Sequence, residues 1–158
     1  MRDTSDGPDT VEDVHLGEMA DSLGFLLRLS QLWAFRDFFE RLGPLGLRPG
    51  EMSVLILIRE NPGVRQGILA RRLIIKRAHM TKMIRALEEK GLVRRTVPDD
   101  DRRSVELWLT EEGQRHVEKL QEPIREHEEN SRGRLTRAEA AQLKRLLRKY
   151  SGVPVAGK

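Results

Sequence analysis

Apolar positions recur with a helical period along most of the chain. From Ser22 to Leu42 the segment SLGFLLRLSQLWAFRDFFERL carries a broad apolar arc and predicts a long helix. Gly43, Pro44 and Gly46 mark a turn, and Pro49 suits the first position of the next helix, GEMSVLILIREN. Taken alone, Val54 to Ile58 would fit a buried strand equally well, and the proline start argues for helix. After Asn61, Pro62 and Gly63 comes a short apolar pattern at Ile68, Leu69 and Leu73. Met80, Met83, Ile84 and Leu87 then fall at i, i+3, i+4 and i+7, one face of a second helix only a few residues on. Gly91 is placed to cap it. Two strands follow, Leu92 to Val97 and a run in which Val105, Leu107 and Leu109 alternate with Ser104, Glu106 and Trp108; the loop between them contains PDDDRR.

Thr110 is a good N-cap, with Glu111 and Glu112 where the helix dipole favours negative charge, and a long polar helix runs from there to about Ser131. Pro123 is expected to kink or interrupt it. Gly133 closes this stretch, and Thr136 with Glu139 forms a capping box for a last helix with apolar Ala140, Leu143, Leu146 and Leu147. Helix, turn, helix, hairpin is the order of a winged helix-turn-helix, so the expected fold is mainly α with a small β-hairpin wing. The boundaries expected are an arm at 1–14, a first helix and turn at 15–48, the winged domain at 49–110, C-terminal helices at 111–150 and a loose tail at 151–158.

Charge changes this picture more by its placement than by its total of +4. Residues 1–21 hold seven acids against Arg2, a balance of −6 that leaves +10 on the rest. From Pro62 to Thr110 twelve Lys and Arg face six Asp and Glu, so +6 of that excess lies on the helix-turn-helix and hairpin, which favours a polyanionic partner. The acidic opening, with Gly7 and Pro8, is expected to be disordered to about Val14, as an inert solubilising tail or as a competitor of DNA for the basic face. No cysteine is present, which excludes thiol sensing, disulfides and cysteine-bound zinc. The sequence shows neither a signal-peptide pattern nor an apolar run approaching a membrane span, and the expected location is cytoplasmic. No Ser-His-Asp pattern, phosphate loop or glycine fingerprint appears, and His15, His79, His116 and His127 lack zinc-like spacing, so neither catalysis nor a cofactor or metal is expected.

Packing the Met80 stripe inward would hold out Lys76, Arg77, His79, Thr81, Lys82 and Arg85, a row of donors and positive charge suited to a DNA groove. A basic face that is merely solvated is the plain alternative. Arg102 and Arg103 at the hairpin tip could reach a minor groove, though Pro98 with three aspartates would equally suit a solvated turn. In the first helix a wheel puts Arg36 at the centre of the arc flanked by Phe25, Leu29, Leu32, Trp33 and Phe39. A guanidinium there needs a partner, either Glu40 one turn on or an anionic ligand in a cavity. Trp33, Phe35, Phe38 and Phe39 fit a core or a pocket for a planar ligand.

These residues carry a resemblance. NPGVRQGILARRLIIKRAHMTKMIRALEEKGLVRR and DDDRRSVELWLTEEG resemble the MarR family of bacterial transcription regulators, over about Leu23 to Tyr150. The family's wing pattern is matched by Asp101, Arg103, Leu109, Thr110 and Gly113. The resemblance implies a homodimer held by the first and last helices, with two winged domains reading a pseudo-palindrome in double-stranded DNA. Lys76 to Lys82 would enter the major groove and Arg103 the minor groove, braced by Asp101. It further implies a repressor released by a small aromatic or anionic effector in a cleft that Trp33 and Arg36 would line.

The departures from the family are specific. Arg48, Arg65 and Lys76 stand where members commonly place Ser or Thr caps, each forfeiting about 0.5 to 1 kcal/mol. DNA phosphate is the simplest compensating anion for Arg65 and Lys76. For Arg48 it is a ligand phosphate or carboxylate, unless capping has shifted by a residue. Ile74 replaces the turn glycine, and since a β-branched residue tolerates positive φ poorly the turn is expected to be built differently. The string IIKRAHMTK is similar to a subgroup responding to aryl-CoA thioesters such as hydroxycinnamoyl-CoA. Against the ligand-responsive repressor stands a winged-helix protein-interaction module that does not read DNA, which would be indifferent to salt.

Overall fold

The computed structural model describes residues 14–46, 48–98 and 104–154. The acidic arm up to residue 13, the wing tip with Asp101, Arg102 and Arg103, and the last four residues lie outside the described residues. Among the described residues six α-helices and three short strands follow in the order α1 (Leu23–Leu42), α2 (Pro49–Glu60), β1 (Val64–Arg65), α3 (Gln66–Arg72), α4 (Arg77–Glu89), β2 (Val93–Thr96), β3 (Glu106–Leu109), α5 (Glu111–Asn130) and α6 (Arg137–Ser151). Two compact units divide the chain within α1, after Phe35. In the first, a 3-10 turn at Gly17–Asp21 leads into α1, and none of its described residues is buried.

The second unit carries the core. Pro49 opens α2 as a helix, and the ambiguous apolar run resolves as helical because Val54, Leu55 and Ile58 share one buried face. They pack with Leu69 of α3, Met80, Ile84 and Leu87 of α4, Leu107 of β3 and Val117 of α5. A smaller cluster joins Phe38 and Leu42 to Leu120, with Met52 and Ile124 against it. The sheet is antiparallel in the order β1-β3-β2, with Val93 opposite Leu109 and Val64 opposite Leu107. The expected hairpin is there, and β1 is an addition: two residues, flanked by bonds from Gly63 N to Leu107 O at 3.0 Å and Gln66 N to Val105 O at 2.8 Å, tie the start of α3 to the wing.

Pro123 does not interrupt α5, which continues through it from Glu111 to Asn130. The turn between α3 and α4 is not built differently: Ile74 itself takes the left-handed conformation at φ 55, and the α3 end keeps the geometry in which glycine is usual. Where α5 begins, Thr110 Oγ1 accepts from Gly113 N at 2.9 Å, and Thr110 N donates to Leu92 O at 3.1 Å, which seats the helix against the start of β2. The Thr136–Glu139 capping box of α6 is also formed.

Candidate nucleic-acid interface

The stripe read from the sequence faces inward: Met80, Ile84 and Leu87 are buried on α4. Burying that face fixes the other, and Arg77, His79, Thr81, Lys82 and Arg85 are exposed along it, with Lys76 exposed at its N-cap. From Asn61 to Leu87 the chain holds seven cations and no acid. A helix whose first turns present donors and positive charge, its carboxylates Glu88 and Glu89 being confined to the far end, can meet phosphates with its cations and base edges with its polar groups.

Beside α4 lies a depression of about 350 Å³ lined by Arg65, Gln66, Gly67, Arg71, Arg77 and Thr81 among others. Gln66 Nε2 donates to Thr81 Oγ1 at 3.1 Å, which ties the first turn of α3 to the exposed face of α4. Arg65 is exposed on β1, immediately before α3. Arg71 and Gln66 were not among the residues singled out from sequence. The signal for Arg71 was the same acid-free run, while the Gln66 contact arises only when the helices cross.

Arg48, Arg65 and Lys76 are the N-cap residues of α2, α3 and α4, and none of the three caps has a side-chain hydrogen bond. The capping positions have not shifted, so the forfeited stabilisation read from sequence is real in this fold.

The base of the wing is braced twice. Arg95 of β2 donates through Nε to Glu88 of α4 at 2.9 Å, a bond that raises the guanidinium pKa further above its ordinary value. Trp108 Nε1 donates to Thr96 Oγ1 at 3.0 Å across the strands, and the Arg94 guanidinium carbon lies 4.9 Å from the indole centroid. Gly63, at φ 80, lets the ring in: a Cβ there would lie 2.8 Å from Trp108 Cζ2. Asp101, Arg102 and Arg103 lie outside the described residues.

The effector candidates are taken singly. Trp33 is 48% exposed on α1 in the first unit. Arg36 is not buried in an apolar arc: its side chain is 57% exposed and Nε lies 3.5 Å from Glu40 Oε1, the i+4 partner. Glu40 is the partner one turn on that the sequence offered, and Leu32, Trp33, Phe35 and Phe39 are exposed along with Arg36 in the single chain. Arg48 is exposed at the start of α2. Near the same end of α1, Asp37 Oδ1 accepts from Arg41 Nε at 2.8 Å, while its Oδ2 faces buried His127 Nδ1 at 3.3 Å without hydrogen-bond geometry.

On α6, Leu143, Leu146, Leu147 and Tyr150 are exposed at i, i+3, i+4 and i+7, an apolar stripe left uncovered by the described residues of the single chain. Among the described residues no group of His, Asp and Glu is arranged to hold a metal, and no helix is long and apolar enough to cross a membrane.

Comparison with known proteins bears on this geometry. Residues 47–105 match the model of the MarR family. A chain from Thauera aromatica described as the transcriptional regulatory protein for the hcr operon is 36% identical over 151 residues, covering 92% of this chain and 90% of that one. The homoprotocatechuate degradative operon repressor of Escherichia coli is 28% identical over 132 residues, covering 84% and 89%. Among solved structures, the transcriptional repressor CouR bound to a 23-mer DNA duplex superposes with a TM-score of 0.81 at 34% identity, covering 88% of this chain and 99% of that chain.

Proposed function

Because the chain belongs to the MarR family, a family of transcriptional regulators and not of enzymes, we propose that it is a homodimeric DNA-binding repressor, released from its operator by a small anionic aromatic effector. The observation that carries the reading is the exposed basic face over the first turns of α4, from Lys76 to Arg85, held out by a buried apolar stripe. In this reading Arg65, Lys76, Arg77, His79, Thr81 and Lys82 contact DNA, with Arg71 and Gln66 beside them. Arg102 and Arg103 extend the contact from the wing tip, with Asp101 bracing Arg103. The open apolar stripe of α6 supports a dimer in which residues 15–48 and 111–150 supply the interface and 49–110 the reading head. A regulator of this kind works where the DNA is, in the cytoplasm.

The effector is the finer part of the proposal. Trp33, Arg36 and Arg48 are its candidate contacts, and an aryl-CoA thioester suits them because it joins a planar ring to several phosphate charges. Support comes from the uncapped cation at the start of α2, from the IIKRAHMTK resemblance, and from the E. coli relative's name, which refers to an operon degrading an aromatic acid.

The test is fluorescence anisotropy on the DNA upstream of the chain's own gene, at rising salt, then with free aromatic acids and their CoA thioesters. Each phosphate neutralised should steepen the salt dependence by about 0.9 in log K against log salt. Release by thioesters, lost in Arg36→Ala or Arg48→Ala, is the expected result. Release by free acids alone would retire the thioester, and indifference to DNA at low salt would leave a protein-interaction module.

A further inference from the structure

The turn between α3 and α4 holds a residue that is unfavourable twice over in the free protein. Ile74, at φ 55, is the single non-glycine with positive φ among the described residues. It ends α3 through bonds from Ile75 N to Ala70 O at 2.9 Å and from Ile74 N to Arg71 O at 3.2 Å. Helix α4 ends through the same pair, Leu92 N to Leu87 O at 3.0 Å and Gly91 N to Glu88 O at 2.9 Å, and there the left-handed position is a glycine at φ 70. One motif thus occurs twice between Ala70 and Leu92, once with the residue it favours and once with a β-branched residue crowded against its own backbone.

Burial returns nothing for that crowding. Ile74 is 93% exposed, so its side chain gains no transfer out of water. Its neighbours along the chain are Arg71, Arg72, Lys76 and Arg77, all exposed, within the acid-free run. A partner that covers this isoleucine must satisfy cations on both sides of it and still offer an apolar surface between them. Duplex DNA does both: its phosphates meet the cations, and the carbon edge of deoxyribose or the methyl group of thymine supplies the apolar contact.

Resting on the DNA-binding reading above, we propose that Ile74 is a DNA-contacting residue, held out by the strained turn against an apolar edge of the operator. Strain kept at an exposed position in the free state is then offset in the complex.

The experiment compares the full-length wild type with Ile74→Gly and Ile74→Asn, both of which suit the left-handed conformation and remove the apolar branch. Both variants should melt about 2 to 4 °C higher than wild type. Both should bind operator more weakly, by about fourfold for each protomer in contact, the equivalent of one methylene group buried. Repeating the titration with deoxyuridine in place of thymine at single positions separates the two sources. If wild type loses affinity at one position and the variants do not, the contact is a thymine methyl; if wild type is insensitive at every position while the variants stay weak, it is deoxyribose. Operator affinity equal to wild type in both variants would overturn the proposal while leaving the DNA-binding reading intact. Wild type failing to bind at low salt would overturn both.

Discussion

Gly113→Ala is the sharpest perturbation this fold offers. A Cβ at Gly113 would stand 2.0 Å from Leu92 O, 2.9 Å from Leu92 C and 3.3 Å from Leu92 Cα, and real Cβ atoms essentially never come within 3.0 Å of such a neighbour. The obstacle is backbone, so no rotamer relieves it; α5 and the start of β2 must part by about 1 Å. Leu92 O is also the acceptor of Thr110 N at 3.1 Å, and Gly113 N is the donor to Thr110 Oγ1 at 2.9 Å, so the displacement strains the bonds that seat the helix. Overpacking contributes about 1 to 3 kcal/mol of destabilisation and each lost hydrogen bond about 1, for a total of about 3 to 5 kcal/mol. Alanine's better helix propensity offsets less than about 1 kcal/mol of that. Urea unfolding followed by far-UV circular dichroism, at one fixed protein concentration because a dimer's midpoint depends on it, should show the midpoint fall by about 1.5 to 2.5 M with the slope unchanged. A midpoint within about 0.3 M of wild type would refute the close-approach argument.

Other predictions follow from the same structure. Lys82→Ala should weaken binding about equally on operator and unrelated DNA and lower the salt slope by about 0.9 per protomer, as measured by anisotropy across a salt series. Gly67→Ala, whose new methyl would meet nothing nearer than Arg71 Nη1 at 4.0 Å, should stabilise α3 by up to about 1 kcal/mol and raise the melting temperature. Glu139 accepts from Thr136 N and Oγ1, both at 2.8 Å, and the backbone bond leads in holding its pKa below the ordinary value. Its contribution is therefore complete above about pH 4.3 and is lost as the pH falls through the depressed value. In thermal melts from pH 6 down to about 3, Glu139→Gln should remove that part of the acid dependence, and a curve parallel to wild type would contradict the assignment.

What the sequence disclosed, and what it hid, divides by the range of the physics involved. Pro49 at a helix start, Thr136 with Glu139 as a capping box and the Met80 to Leu87 stripe act within one or two turns, and each is formed as read. Strand β1 was invisible because two residues have no period; it exists only through its pairing with β3, more than 40 positions away. The Glu40 partner of Arg36 was legible at i+4, whereas its 57% exposure was not, because a wheel assigns a face but not what covers it. Ile74 showed the limit of a local rule: the penalty on a β-branched residue is real, yet the bonds that close α3 fix φ at 55 all the same. The exposure of the α4 donors was legible because charge pattern and helical period agree on them, and Arg65 and Lys76 were legible as cations at helix N-caps. Gln66 against Thr81 was not, since that contact depends on how two helices cross.

The separation of charge between elements has a consequence for kinetics. While 61–87 carries seven cations and no acid, 111–151 carries ten cations against eight acids, so the positive charge is densest on the reading head. A chain whose positive charge lies off-centre experiences a torque as well as an attraction in the field of a nucleic acid before contact. Encounters are thereby biased toward those in which the recognition helix leads, which raises the fraction of collisions that become complexes. Added salt shortens the reach of that torque to the Debye length, about 8 Å at physiological ionic strength. The rate of finding DNA should then fall along with the strength of holding it.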